Sequence, residues 1–245
     1  MAKFIPYTFN KQEIIKDFDN EKQLNNWIAS KLKSKSLKKV RNGLYVIVDS
    51  AGYVYSSKFE IASKISKDSF VSYHSALEFH GVANQVFSDV IVCSSTRFNN
   101  FEFEDIEYIN KVNKNYVEVM NIITAGVRVS SLERTIIDCI DNINLAGGIE
   151  EILHALEQTK FLDEKKLLNV LESYNQVLLY QKVGYILEHY KEQLNLSNHF
   201  FEICRSKLTN QIKYFLQDEY KEIEYNATWK LMAPKNLKSR INGGY

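Results

Sequence analysis

The side chains best suited to chemistry with an anionic polymer lie between residues 21 and 41. Lys22, Gln23, Asn25, Asn26, Ser30 and Lys33 alternate with Leu24, Trp27, Ile28 and Leu32 at helical spacing, giving one polar and one apolar face. Asn and Gln pair with the edge of adenine, and Lys or Arg with guanine or phosphate, so this polar face has the chemistry a recognition helix needs. Lys35, Lys38, Lys39 and Arg41 follow, with no acid between Lys31 and Arg41. Cations placed there would grip phosphates and set register without reading bases. The plain alternative is a solvated, lysine-rich helix face.

Other reactive groups are less persuasive. His74 and His80 stand six residues apart, about 240° round a helix once full turns are removed, so they share no face and no metal. Ser75 lies beside a histidine but has no G-x-S-x-G elbow and no third partner. These histidines read as structural hydrogen-bonding groups at a helix end or in the interior. Glu133 and Asp138 near Arg134 suggest a metal-dependent nuclease, since paired carboxylates can hold a divalent ion. However, Arg134 and Asp138 are four apart and pair on one helix face. Ser130 and Glu133 also form an S-x-x-E capping box, so a structural role is the expectation. Gly147-Gly148 precedes a helix, where glycines can cradle phosphate. Glu150 and Glu151 would repel a phosphate there, and a turn is the better reading.

The elements that must position these groups follow from the hydrophobic pattern. A short helix is predicted over 11–18, with Asn10 as N-cap, then a helix over 21–34. A hairpin, 38–41 and 44–48, turns on Asn42-Gly43, a pair that accepts the positive φ of two-residue turns. Helices are expected over 56–66 and 70–81, the second stopped by Gly81. The run 90–93 reads as a buried strand, with further strands at 106–109, 116–122 and 126–129. Helices follow at 131–141, 148–159, 163–174, 176–194 and 198–206, and a last strand at 228–234. The expectation is α+β: a small basic N-terminal lobe, a mixed central sheet at about 88–130, and a helical part at about 131–206.

Composition limits the class. With 45% hydrophobic residues the chain can bury a sizeable core, and the net charge of +1 hides a basic N-terminal cluster set against a more acidic remainder. Cys93, Cys139 and Cys204 are isolated in apolar surroundings, which argues for reduced, buried thiols and against a disulfide framework or a zinc site. No apolar run suits a signal peptide or approaches the roughly 20 residues of a membrane span, so a cytoplasmic protein without a membrane partner is expected.

Two segments carry a family likeness. Ser72-Tyr73-His74-Ser75-Ala76-Leu77-Glu78-Phe79-His80-Gly81 and Ser131-Leu132-Glu133-Arg134-Thr135-Ile136-Ile137-Asp138-Cys139 are followed by Gly147-Gly148, with Arg41-Asn42-Gly43-Leu44-Tyr45 upstream. In this order and spacing they resemble the AbiEi-like antitoxins of bacterial abortive-infection (type IV) toxin–antitoxin systems. The resemblance implies a winged helix-turn-helix over 1–50 that represses its own operon. It also implies an antitoxin domain over 51–245 that counteracts a nucleotidyltransferase-like toxin without a stable complex. It implies no catalysis and no cofactor. Winged helices usually place three helices before the wing and only two are legible here, so a shortened lobe is one expectation. A stand-alone regulator and a metal-dependent nucleic-acid-processing enzyme are the other readings.

Overall fold

In a computed structural model, residues 5–215, 223–235 and 237 are described. Along the chain run β1 (Thr8–Asn10), α1 (Lys11–Ile14), α2 (Glu21–Lys33), β2 (Leu37–Arg41), β3 (Leu44–Ile47), α3 (Lys58–Ser63), β4 (Phe70–Val71) and α4 (Tyr73–Phe79). Next come β5 (Asp89–Ser94), β6 (Phe101–Phe103), β7 (Ile106–Val112), β8 (Val119–Ile122) and β9 (Val127–Ser130). The last part holds α5 (Leu132–Asp141), α6 (Ile149–Gln158), α7 (Glu164–Tyr174), α8 (Val177–Glu188), α9 (Asn198–Ser206), β10 (Lys213–Tyr214), β11 (Ile223–Asn226) and β12 (Leu231–Pro234). The architecture is mixed α+β. Among the described residues, no helix is long and apolar enough to cross a membrane.

The chain divides into two compact units, and the boundary expected near residue 50 falls inside the first. That unit comprises residues 1–71, 88–114 and 121–129. In it β1, β3 and β2 form an antiparallel sheet in that order, with a register shift between Lys39 and Arg41. Phe9, Ile14, Leu24, Ile28, Leu37 and Tyr45 form its core, with Trp27 and Leu32 packed alongside. Phe9 stacks on Tyr45 with centroids 5.8 Å apart and lies 6.2 Å from Trp27 of α2, so the sheet and α2 share one aromatic seam. A second sheet has the order β6-β7-β5-β4-β9-β8. In it β5 and β7 run parallel, and Phe70 and Val71 of β4 face Cys93 and Val92 of β5.

The second unit comprises residues 72–87, 115–120 and 130–245. Its central helix, α5, is buried from Glu133 to Ile140, and α8 from Leu179 to Leu187. A small sheet, β10-β12-β11, turns Leu231 and Ala233 inward.

Several expectations need correction. The helix predicted over 11–18 is four residues of α-helix followed by a 3-10 turn over Ile15–Asp17. Phe70-Val71, read as a helix start, is a strand, because both residues pair with β5 and Val71 also pairs with Val129 of β9 on the other side. Helix α8 stops at Glu188, short of 194. Strands β1, β6, β10 and β11 had no sequence reading. The capping box of Ser130 and Glu133 does not form: Ser131 is the N-cap and its hydroxyl accepts from the Arg134 N–H at 3.2 Å, with an arginine in the place a reciprocating Glu would take. Ser130 ends β9 and hydrogen-bonds Thr135 through its hydroxyl at 2.7 Å.

Candidate nucleic-acid interface

Asn20 caps α2, its side chain accepting the Gln23 N–H at 2.9 Å, and an exposed Asn at this position satisfies one orphan donor of the first turn. Leu24 and Ile28 are buried, and Leu32, expected to be buried, is half-buried at the rim of the core. Lys22, Gln23, Asn25, Asn26, Ser30 and Lys33 are all exposed. At about 100° per residue, Lys22, Asn26 and Lys33 fall within about 40° of each other. Gln23 is partly committed: its amide donates to Asp19 Oδ2 at 2.9 Å, and its Oε1 accepts the Asp19 N–H at 2.9 Å. The helix closes with Lys35 in the left-handed region, φ +57, while Ser36 N–H reaches the Lys31 carbonyl at 3.0 Å. Glycine normally occupies this closing position because it has no Cβ to clash.

The basic run separates into two groups. Lys33, Lys35 and Lys39 are exposed and make no ion pair among the described residues. Lys38 is different: its ammonium lies 2.7 Å from Glu104 at the tip of the β6–β7 hairpin. Arg41 is half-buried, its guanidinium 5.2 Å from the Phe98 ring centroid and 5.1 Å from that of Phe101. A guanidinium held over two aromatic rings is a packing element. Arg41 therefore fastens the β2–β3 hairpin and does not reach outward as a phosphate contact would. Phe98, Phe101 and Glu104 were missed as partners of the basic run. The alternation Phe101-Glu102-Phe103 was the available signal, but three residues are too few for a strand reading.

In the same unit a cleft of about 1190 Å³ is lined by Lys11, Lys64, Lys67 and Arg128 among others. Two of these cations are already neutralised, Lys11 by Glu21 at 2.8 Å and Lys64 by Glu13 at 2.7 Å.

The chemistry-bearing residues of the second unit are bound into its interior. His74 is buried, and its Nε2 lies 3.2 Å from Glu151 Oε1, which also accepts the N–H groups of Asn84 at 2.7 Å and Gln85 at 3.2 Å. Burial raises the Glu151 pKa, but the hydrogen bonds from His74, Gln85 and Asn84 outweigh it and hold the carboxyl below its usual range. Phe87 stacks on His74 at 4.0 Å, and a Cβ on Gly147 would meet Phe87 at 2.9 Å, so glycine leaves room for that stack. His80 Nε2 donates to the Ser130 carbonyl at 2.8 Å.

Arg134 is fully buried: Nε donates to Asp138 Oδ2 at 3.2 Å and Nη1 to the Val117 carbonyl at 2.5 Å. Tyr174 donates to the other Asp138 oxygen at 2.6 Å. Burial pushes the Asp138 pKa up, against the pull of Arg134 and Tyr174. Glu133 turns away and accepts the Asp163 N–H at 3.2 Å, at the start of α7. The two carboxylates of the nuclease reading thus serve different elements. Among the described residues, no cluster of three His, Cys, Asp or Glu side chains is placed to hold a metal ion.

No protein-family model matches this chain, and no curated protein matches it. Among solved structures, the crystal structure of the RV2827C protein from Mycobacterium tuberculosis is similar, with a TM-score of 0.65 at 10% sequence identity. The likeness covers 98% of this chain and 90% of that one, and at such low identity it establishes a shared fold.

Proposed function

We propose that this chain is an antitoxin and transcriptional autorepressor that acts in the cytoplasm, binds operator DNA and counteracts a nucleotidyltransferase-like toxin. In this reading β1, α1, α2, β2 and β3 are a winged helix, with α2 as the recognition helix and the β2–β3 hairpin as the wing. The observation that carries it is the exposed face of α2. Lys22, Asn25, Asn26, Ser30 and Lys33 point to solvent while Leu24 and Ile28 anchor the same helix to the core, and Lys35 and Lys39 continue the cationic surface. The strand order β1-β3-β2, with both helices between β1 and β2, supports it further, since a winged helix lays its wing strands beside a short first strand. The toxin-directed role rests on the family resemblance of the 72–81 and 131–139 segments.

A gel shift of the protein with its own promoter tests the DNA-binding half. Specific retardation that weakens steeply with salt is expected, and retardation no stronger than on random DNA would refute it. The toxin half is tested by co-expression with the product of the neighbouring reading frame. Growth rescue is expected, whereas a neighbour that is not toxic leaves a stand-alone regulator.

A further inference from the structure

Glu104 and Asp105 form the two-residue turn of the β6–β7 hairpin, with Phe103 paired to Ile106. Both have left-handed backbone, φ +51 and +60, at positions where two-residue turns favour Asn-Gly. Strain of this kind persists where the surrounding structure has a use for it. Here the turn aims one carboxylate at the wing: Glu104 Oε1 lies 2.7 Å from the Lys38 ammonium. The contact is framed on both sides, because Arg41, three residues on along β2, is clamped over Phe98 and Phe101 beside the same hairpin. The Lys38 and Glu104 side chains keep 38% and 46% of their exposure, so this is a solvated pair that a stronger anion can displace.

Resting on the reading of β2–β3 as a DNA-binding wing, we propose that Glu104 is a built-in competitor for the DNA backbone. It holds Lys38 in the free protein and gives it up to a phosphate on binding, so it sets the strength of the complex. Removing the carboxylate removes the cost of breaking that pair on binding. Glu104→Gln should therefore tighten binding to promoter DNA about two- to fivefold, the range an exposed ion pair can account for. Because Lys38 meets the phosphate in both proteins, the number of counterions released, and with it the log–log salt slope, should be the same. The effect must pass through Lys38 and so vanish in a Lys38→Gln background. Glu104→Gly, which relaxes the turn as well, should match Glu104→Gln. Glu102→Gln removes an equal charge from the same hairpin, where no pair with Lys38 is lost, and should tighten binding less.

The measurement is a salt titration of promoter binding by fluorescence anisotropy, with circular dichroism confirming the fold of each variant. Unchanged affinity in Glu104→Gln overturns the proposal. So does equal tightening with and without Lys38, which makes Glu104 a general repulsive charge. If the wild type binds no DNA, the nucleic-acid reading fails and the competitor with it. If the wild type binds and only the Lys38 coupling is missing, the competitor alone fails.

Discussion

Replacing Gly184 by alanine should destabilise the second unit, since among the described glycines an added Cβ meets its nearest neighbour there. Gly184 lies in the buried middle of α8, and the face of Trp229 rests where its side chain would be. An added Cβ would lie 2.1 Å from Cζ3, 2.2 Å from Cη2 and 2.6 Å from Cε3 of the indole. Carbon atoms settle at about 3.5–4.0 Å, so the ring must retreat by about 1.5 Å. It has little freedom to do so: Trp229 is fully buried, its Nε1 donates to Glu188 at 2.7 Å, and Arg205 lies 5.6 Å over its ring. Overpacking costs about 3 kcal/mol at the upper end of the usual range. Losing a hydrogen bond to a charged acceptor adds about 1.5 kcal/mol. Alanine's better helix propensity returns about 1 kcal/mol. The net loss is about 3.5 kcal/mol, to be measured by urea unfolding followed through Trp229 fluorescence in a Trp27→Phe background. Shrinking the partner with Trp229→Leu should remove most of the penalty in the double variant. A Gly184→Ala protein as stable as the parent, or about 1 kcal/mol more stable as propensity alone dictates, would refute the packing argument.

Lys35→Gly relieves a left-handed lysine, worth about 1–2 kcal/mol, against about 0.4–1 kcal/mol of added unfolded-state entropy. It should therefore gain about 0.5 kcal/mol in a denaturant melt while lowering the DNA salt slope by about 0.9 if Lys35 meets a phosphate. Lys22→Glu and Lys33→Glu should each weaken promoter binding in a gel shift without changing the melting temperature, and a fall in stability instead would place these side chains in the fold. Ser131→Ala should cost about 1 kcal/mol in a denaturant melt through loss of the α5 cap, whereas the same change at Glu133 would act on the start of α7. Burial lowers the His80 pKa below 6.5, against the Ser130 carbonyl and Glu133, which raise it. The unfolded chain therefore takes up the proton first, and stability should fall as pH drops from 6.5 through the lower folded value. His80→Gln should flatten that part of the profile, and an unchanged slope would assign it to another group.

Where residues repeat on one face, the sequence is a good guide. The apolar side of α2, the Asn42-Gly43 hairpin and the amphipathic α6 and α7 follow from local periodicity and turn chemistry, because burial of a regular face leaves a regular trace. Features set by distant partners leave none. Phe70-Val71 looks like the first turn of a helix until β5 and β9 lie beside it. Ser130 reads as the cap because Glu133 stands three residues on, and only the end of β9 hands that place to Ser131. In the candidate interface, the polar face of α2 was legible residue by residue. The separation of Lys38 and Arg41 from their neighbours was not, since it depends on Phe98, Phe101 and Glu104, which reach them through tertiary packing.

That dependence has a consequence for the order in which the protein is made. The core residues beneath α2, from Phe9 to Tyr45, are all synthesised early and can close among themselves. Phe98, Phe101 and Glu104 leave the ribosome some sixty residues later, a delay of about 3–12 s at usual elongation rates. During that interval the nascent hairpin has its Arg41 unclamped and its Lys38 unneutralised. The chain as first folded on the ribosome is therefore more cationic at its β2–β3 hairpin than the finished protein, and it matures electrostatically only when the β6–β7 turn arrives.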